Sequence, residues 1–273
     1  SNNDINVAAN SDNNEVSADN NTVTGADNSV AATAVNADSS ASADGNTLDG
    51  TDNSVDVTAG GLGSTAEANG DTLSGSDNQV TVATTGDNAS ALNGGNSLFG
   101  LNNSLDATAG LNATVDVDDN NLVGTGNTLT GSADLGGVAN LAGNTADGTE
   151  NSIGASAEDA GSVSTVADNQ LDGSGNSAQA SAVDGGTASV AENQAAGFDN
   201  TVSAAADDGE ALVDSNTAVG SGNSVAATAE SGGSASAEAN SLDGSGNTVS
   251  VDAASGGSVV AGDNNLDGTD NAV

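Results

Sequence analysis

The side chains of this sequence that could do ionic chemistry are carboxylates, because it contains 39 Asp and Glu residues and no Lys, Arg or His. Several carboxylates lie beside hydroxyl and amide oxygens around a glycine, in the pattern D-G-T-[DE]-N. Oxygen donors of this kind are the ligands that Ca²⁺ prefers. The sequence therefore predicts Ca²⁺ as a possible bound ion, with these candidate ligands: Asp49, Asp52, Asp147, Glu150, Asp263, Asp267 and Asp270.

The last of these groups has the spacing of a known motif. Asp263, Asn265 and Asp267, with Gly268 after them, match the opening of a Ca²⁺-binding loop, D-x-[DN]-x-[DN]-G. The sequence ends before the Glu that closes such a loop, and the G-G-x-G-x-D pattern of RTX repeats does not recur. Because Asp and Asn are frequent here, such matches also arise by chance. A solvated acidic surface is the alternative interpretation.

Catalysis by side chains is not expected of this sequence, which contains no His, Cys, Lys, Arg or Tyr. Serine is plentiful but has no base to activate it. Paired carboxylates can hydrolyse glycosides, yet no Trp or Tyr is present to bind a sugar ring. Phe99 and Phe198, the two aromatic residues, occupy non-equivalent places in the sequence pattern. We therefore expect that the protein is not an enzyme.

The formal net charge of −39 restricts the partners of the chain. Nucleic-acid binding requires cationic side chains, which are missing, and an anionic membrane surface would repel the protein. No apolar run approaches the length of a membrane span, so membrane insertion is not expected. The expected partners are cations, basic proteins and further copies of the chain itself.

A short phrase, G-x-x-N with an apolar residue two positions after the asparagine, recurs through the whole sequence at intervals of 23–25 residues. Such a period indicates an array of units that bury their apolar residues only against their neighbours. We expect the asparagines of this phrase to stack as a ladder, each amide bonding to the copies above and below. The eleven positions are Asn28, Asn53, Asn78, Asn103, Asn127, Asn151, Asn176, Asn200, Asn223, Asn247 and Asn271.

Within one unit the residues alternate with period two, which predicts a strand. In the unit that begins at Asn223, the inward series continues with Val225, Ala227 and Ala229. A glycine turn follows, where we expect most of the length variation between units. A second strand leads to a second asparagine, and the apolar phase shifts there, so a corner or bulge is expected near Asn240.

The second asparagine also recurs in every unit, and it predicts a second ladder. Its positions are Asn21, Asn46, Asn96, Asn120, Asn144, Asn169, Asn193, Asn216, Asn240 and Asn264, with Asp71 as the exception. Residues 1–273 are therefore expected to form one all-β domain, a β-solenoid of about eleven coils of 23–25 residues with parallel stacked strands. A three-sided coil and a flatter two-layer β-arch both fit the pattern. Disorder, which the composition favours, does not explain the repeated apolar phase.

The repeat frame resembles that of the major subunits of curli, the bacterial amyloid of biofilms. The matching residues are Gly50, Asn53 and Val55, and their equivalents Gly75, Asn78, Val80, Gly173, Asn176, Ala178, Gly220, Asn223 and Val225. The resemblance covers the whole chain at the level of the repeat. It implies strand–turn–strand units stacked into a solenoid, open ends and self-templated polymerisation outside the cell.

These observations predict a secreted, self-assembling extracellular filament whose subunits stack end to end in a matrix or on a cell surface. The sequence begins and ends at the same phase of the repeat, and no atypical segment is present to cap the stack. Eleven coils would form a rod roughly 50 Å long, so assembly of such an acidic rod is expected to require Ca²⁺ or salt. The alternatives are a calcium-stiffened stalk of a surface adhesin and an ice-binding solenoid, although the threonines are too scattered for the regular array that ice binding needs.

Overall fold

The computed structural model describes residues 3–86, 88–159, 161–254 and 256–273, which form strands and turns without a helix. The strands in chain order are β1 (Asn3–Ala9), β2 (Glu15–Ser17), β3 (Thr22–Ala26), β4 (Asn28–Val35), β5 (Ser40–Ser42), β6 (Thr47–Thr51), β7 (Ser54–Gly60), β8 (Thr65–Asn69), β9 (Thr72–Ser76), β10 (Gln79–Thr84), β11 (Ser90–Gly94), β12 (Ser97–Leu101), β13 (Ser104–Ala109), β14 (Thr114–Asp118), β15 (Asn121–Thr125), β16 (Thr128–Ala133), β17 (Val138–Ala142), β18 (Thr145–Thr149), β19 (Ser152–Ala157), β20 (Val163–Ala167), β21 (Gln170–Ser174), β22 (Ser177–Ala182), β23 (Thr187–Ala191), β24 (Gln194–Phe198), β25 (Thr201–Asp207), β26 (Glu210–Asp214), β27 (Thr217–Ser221), β28 (Ser224–Glu230), β29 (Ser234–Glu238), β30 (Ser241–Ser245), β31 (Thr248–Ala253), β32 (Ser258–Gly262) and β33 (Asn265–Thr269).

Every third strand belongs to the same sheet, so the chain forms three parallel 11-stranded sheets. We call them the first sheet (β1, β4 and so on to β31), the second sheet (β2 to β32) and the third sheet (β3 to β33). Each circuit of three strands is one coil. The predicted β-solenoid of about eleven coils is confirmed, and the two-layer arch is wrong because the coil has three sides.

Alternation of small apolar and polar residues produces these strands. In β4 the side chains of Val30, Ala32 and Ala34 are fully buried, and the residues between them face outward. Strands pair with their equivalents in register, so that Val30 lies between Ile5 and Val55. Like residues therefore stack in columns, and one continuous cluster of Val, Leu, Ile and Ala fills the interior.

The corner between the second and third sheets changes which residues face inward, as predicted near Asn240. Ala237 and Leu242 are both buried although an even alternation would place them on opposite faces. Ala239 lies between them with a φ of 54°, in the left-handed region. This one left-handed residue bends the chain at the corner. It also shifts the alternation by one residue, so that apolar side chains face inward again on the third strand.

The glycine of the repeated phrase is required because successive coils approach closely at the end of the third strand. Gly75 has a φ of 146°, and a Cβ atom there would lie 1.5 Å from the carbonyl oxygen of Gly50. A side chain would overlap the main chain of the preceding coil. The third sheet consequently contains a column of glycines that any larger residue would disrupt.

Differences in coil length lie in the turn between the first and second sheets, as predicted. Corresponding asparagines are 25 residues apart between Asn28 and Asn53 but 23 apart between Asn200 and Asn223. The segment 46–53 has the same length as 216–223, whereas 34–41 is longer than 206–211. The glycine turn therefore absorbs the variation, and the third side of the coil keeps a constant length.

Candidate functional site

The asparagines of the repeated phrase lie inside the solenoid and bond from coil to coil. Asn28 Nδ2 donates to Asn53 Oδ1 at 3.0 Å and to the main-chain oxygen of Asp49 at 3.0 Å. Asn53 Nδ2 repeats this with Asn78 Oδ1 at 2.9 Å. A side-chain amide supplies two donors and an acceptor, so each asparagine both receives a bond from one coil and gives a bond to the next.

We call this column the first ladder. Asn3, which the sequence pattern did not include, also belongs to it, because Asn3 Nδ2 donates to Asn28 Oδ1 at 3.2 Å. The members joined by the same side-chain bond are Asn3, Asn28, Asn53, Asn78, Asn103, Asn127, Asn151, Asn176, Asn200, Asn223 and Asn247.

Asn271, which the sequence pattern assigns to this ladder, is not joined to it by a side-chain bond among the described contacts. Asn247 Nδ2 donates to main-chain oxygens, including that of Asp267 at 3.1 Å, and among the described contacts it does not reach Asn271. Asn271 is exposed, and a single bridge between Thr248 and Ala272 holds its segment on the preceding coil. With so few neighbours, this asparagine is not packed into the position that its equivalents occupy.

The second ladder lies at the corner between the second and third sheets. Asn120 donates from both its main-chain nitrogen and Nδ2 to Asn144 Oδ1, each at 3.0 Å. Asn120 Nδ2 also donates to the main-chain oxygen of Asn93 at 2.9 Å. The bonds continue through equivalent residues to Asn264, and Asp71 occupies one of the buried positions. Both ladders therefore connect the same coils on either side of the third sheet.

The predicted Ca²⁺ ligands lie at the surface and are separated along the coils. Asp49 and Asp147 face outward from β6 and β18, and Asp52 and Glu150 follow them at exposed left-handed corners. In the described residues no three acidic, His or Cys side chains are grouped in a way that would hold a metal ion. The D-G-T-[DE]-N segments thus place their carboxylates along a strand and its corner.

The loop-like motif near the carboxyl terminus has a similar arrangement. Asn265 and Asp267 belong to β33, which is extended, and Asp263 precedes it at a left-handed corner. Asp263, Asp267 and Asp270 are all exposed. An extended strand holds alternate side chains in a row, whereas a Ca²⁺-binding loop curves around the ion.

Carboxylates instead meet their equivalents in neighbouring coils. Asp52 lies in register with Asp27 and Asp77, and the hydrogen bond with Asp27 is the main cause that raises the pKa of Asp52. The stacking that aligns the asparagines therefore also aligns like charges. A different pair lies within one strand, β14 of the second sheet, where burial and Asp116 two residues earlier raise the pKa of Asp118 to about 6.

The outer surface of the third sheet contains several of the threonines and both phenylalanines. Thr22, Thr47 and Thr72 stack in three successive coils, and Ser97 and Asn121 continue the column. Threonine is thus aligned locally but does not form a continuous array. Phe99 and Phe198 are both exposed on this sheet, in different columns.

The chain matches no known protein-family model, no curated protein and no solved structure. Among the described residues there is no helix of the length and hydropathy needed to span a bilayer.

Proposed function

We propose that this protein is a structural subunit of an extracellular filament in which copies stack end to end. The observation that supports the proposal is the continuity of the three parallel sheets and two asparagine ladders through successive coils. Each coil is held to its neighbours by the same strand pairing and ladder bonds. The outermost coil of one molecule could therefore pair with a coil of another molecule through the same groups. The repeat-level resemblance to curli subunits supports the extracellular location and a matrix role.

The outermost strands of the described chain are suited to such addition. β1 and β31 are the outermost strands of the first sheet among the described residues; β1 pairs with β4, and β31 pairs with β28 and, at its start only, with Ala272. Apolar residues that are buried in the inner coils are partly exposed in these strands, including Ile5 and Val251. Val259 on β32 is 50% exposed, whereas its equivalent Ala235 is fully buried. Unpaired edges with exposed apolar residues promote strand addition.

Residues 271–273 lie where a second copy would dock. Ala272 pairs with Thr248, and the nitrogen of Val249 donates to the oxygen of Ala272 at 3.0 Å. This segment covers the start of β31, which is the edge that β1 of an incoming copy would use. Docking in register therefore requires these three residues to leave the edge.

Cations would assist assembly because the stacked carboxylates repel one another. A close pair of carboxylates like Asp27 and Asp52 would form again wherever two successive coils both have an acidic residue at this corner. This pairing also favours a second candidate function, the stalk of a surface adhesin stiffened by Ca²⁺. In a stalk the cation would stabilise a single long chain, whereas in a filament it would promote contacts between chains.

Electron microscopy and sedimentation of the purified chain, with and without Ca²⁺ or salt, would test the filament. We expect unbranched fibres and a diffraction spacing of about 4.7–4.9 Å along the fibre. Ile5→Asp places a charge on the inner side of the outermost strand and is expected to stop elongation while leaving the inner coils folded. Thr58→Asp adds the same charge on the outer face of β7 and serves as the control.

Fibre formation by the Ile5→Asp variant at the rate of the Thr58→Asp variant would contradict end-to-end stacking. A chain that stays monomeric under every cation condition would contradict the filament itself. If Ca²⁺ raised the melting temperature of such a monomer, the stalk would be the better interpretation.

A further inference from the structure

The one acidic member of the second ladder, Asp71, lies where the other coils have an amide donor. Its side chain is fully buried at the corner between β8 and β9. Asp71 Oδ1 accepts bonds from the main-chain nitrogen and Nδ2 of Asn46, at 2.7 Å and 2.9 Å. The Oδ1 atom thus has the same role as the Oδ1 atoms of the asparagines.

The second oxygen, Oδ2, therefore occupies the position that Nδ2 has in the other coils. It is buried and has no hydrogen-bond partner. In the next coil the corresponding atom, Asn96 Nδ2, donates to Asn120 Oδ1 at 3.1 Å and to the main-chain oxygen of Ala68 at 2.9 Å. Both of these partners are acceptors, so the position requires a donor.

An ionised carboxylate cannot meet this requirement. The acceptors that correspond to those of Asn96 are Asn96 Oδ1, which already receives the main-chain N–H of Asp71 at 2.8 Å, and the carbonyl of Ala43 in the preceding coil. Placing an oxygen anion against carbonyl oxygens in a dry interior is costly. A protonated carboxyl group has one O–H and can donate it to either acceptor.

We propose that Asp71 binds a proton in the folded chain and that its O–H group replaces the missing amide donor of the second ladder. The junction between the third coil and the neighbour that accepts this bond, the second or the fourth coil, then depends on pH. It is complete when Asp71 is protonated and is weakened when Asp71 ionises. This inference concerns the fold of the single chain and is independent of the proposed filament.

The surroundings of Asp71 favour the protonated form. Burial raises its pKa from 3.8 to about 7, against the two bonds from Asn46, which lower it, and Asp44 and Asp19 raise it further. Glu67 on β8 and Asp49 on β6 lie on the outer faces of the adjoining strands. The following strands β11 and β12 contain no ionisable residue, and the chain has no basic side chain that could hold the carboxylate.

The direction of the pH effect follows from this pKa. The folded chain holds the proton about a thousand-fold more tightly than the unfolded chain, because the pKa of Asp71 rises from 3.8 to about 7 on folding. The stabilisation is fully present below about pH 4 and is lost as the pH rises through about 7. Alkaline solution is therefore expected to weaken the contacts of the third coil with its neighbours.

Thermal unfolding of wild type and Asp71→Asn between about pH 5 and about pH 9 tests the inference. Asparagine completes the ladder at any pH. The variant is expected to melt about 5–10 °C above wild type at the alkaline end, with the difference shrinking towards acid pH. Asp49→Asn removes one exposed charge near the same coils and controls for general repulsion among the carboxylates.

A carbon-13 NMR titration of the Asp71 carboxyl group in the folded wild-type protein provides a second readout, which needs no variant to fold. We expect its midpoint near 7, and a midpoint near 3.8 would overturn the proposal. The proposal would also be overturned if Asp71→Asn and Asp49→Asn changed the pH dependence of the melting temperature equally.

Discussion

At the scale of single residues, the fold depends most on the glycine that ends each third strand. A Cβ atom at Gly100 would lie 1.4 Å from the carbonyl oxygen of Gly75, and the φ of Gly100 is 143°. The main chain itself is the obstacle, so a rotamer change cannot relieve the overlap. This is the physical reason why the phrase G-x-x-N recurs with so little change.

We predict that Gly100→Ala destabilises the protein by about 3 kcal/mol or more, because both the contact and the backbone conformation exclude a side chain. Gly154 offers a matched control, since it lies in β19 without a left-handed φ and a Cβ atom added there would meet no atom within 4 Å. Gly154→Ala is expected to be neutral or to stabilise by up to about 1 kcal/mol. Thermal unfolding followed by circular dichroism measures both, and equal effects would contradict this explanation.

At the scale of elements, the two ends of the second strand in each coil differ in how well they tolerate inserted residues. The turn that precedes it varies in length between coils, while the corner that follows it is fixed by the second ladder. Loops that make few contacts accept extra residues at small entropic cost. A corner that carries a buried hydrogen-bonded side chain does not.

We predict that two glycines inserted after Asp208, in the shortest turn, lower the stability by less than about 1 kcal/mol. The same insertion after Glu238 would shift Asn240 out of the second ladder and displace all the strands that follow. Hydrogen exchange should then show protection lost from β30 to β33 in the second variant and retained in the first. Equal protection in both variants would contradict a fixed corner.

The sequence predicted the strands, the two ladders and the variable turn because each depends on a pattern with a fixed period. It left the number of sides open because a left-handed residue at this corner, which in most coils is Gly, Asn or Asp, indicates a turn of the chain without fixing the angle between the two strands. Asn271 matched the pattern but lacks the packing that fixes its equivalents. Asp71 was visible as an exception, yet its unpartnered oxygen is a property of three-dimensional stacking.

At the scale of the whole molecule, charge opposes the stacking that the ladders support. All 39 ionisable side chains are acidic, and residues such as Asp27 and Asp52 are brought together by the register of the coils. Screening by salt weakens repulsion between exposed charges beyond the Debye length. The stability of the rod should therefore depend strongly on ionic strength.

We predict that the melting temperature rises by about 5 °C or more between low and physiological salt. If carboxylates of adjacent coils share a divalent cation, that cation should raise the melting temperature more than sodium does at equal ionic strength. A chelator should then abolish this excess. Asp52→Asn would reduce the excess. A melting temperature that does not change with salt would contradict the importance of this repulsion.

The ladder bonds also give the rod an electrical direction. The amide-to-amide bonds of both columns run in one direction, with Nδ2 donating to Oδ1 of the following coil, as between Asn28 and Asn53 and between Asn120 and Asn144. Aligned amide dipoles add rather than cancel, and neighbours in a hydrogen-bonded chain polarise one another. The molecule should thus carry a permanent axial dipole in addition to its net charge, and would align in an applied electric field with its carboxyl-terminal coil as the positive pole of that dipole.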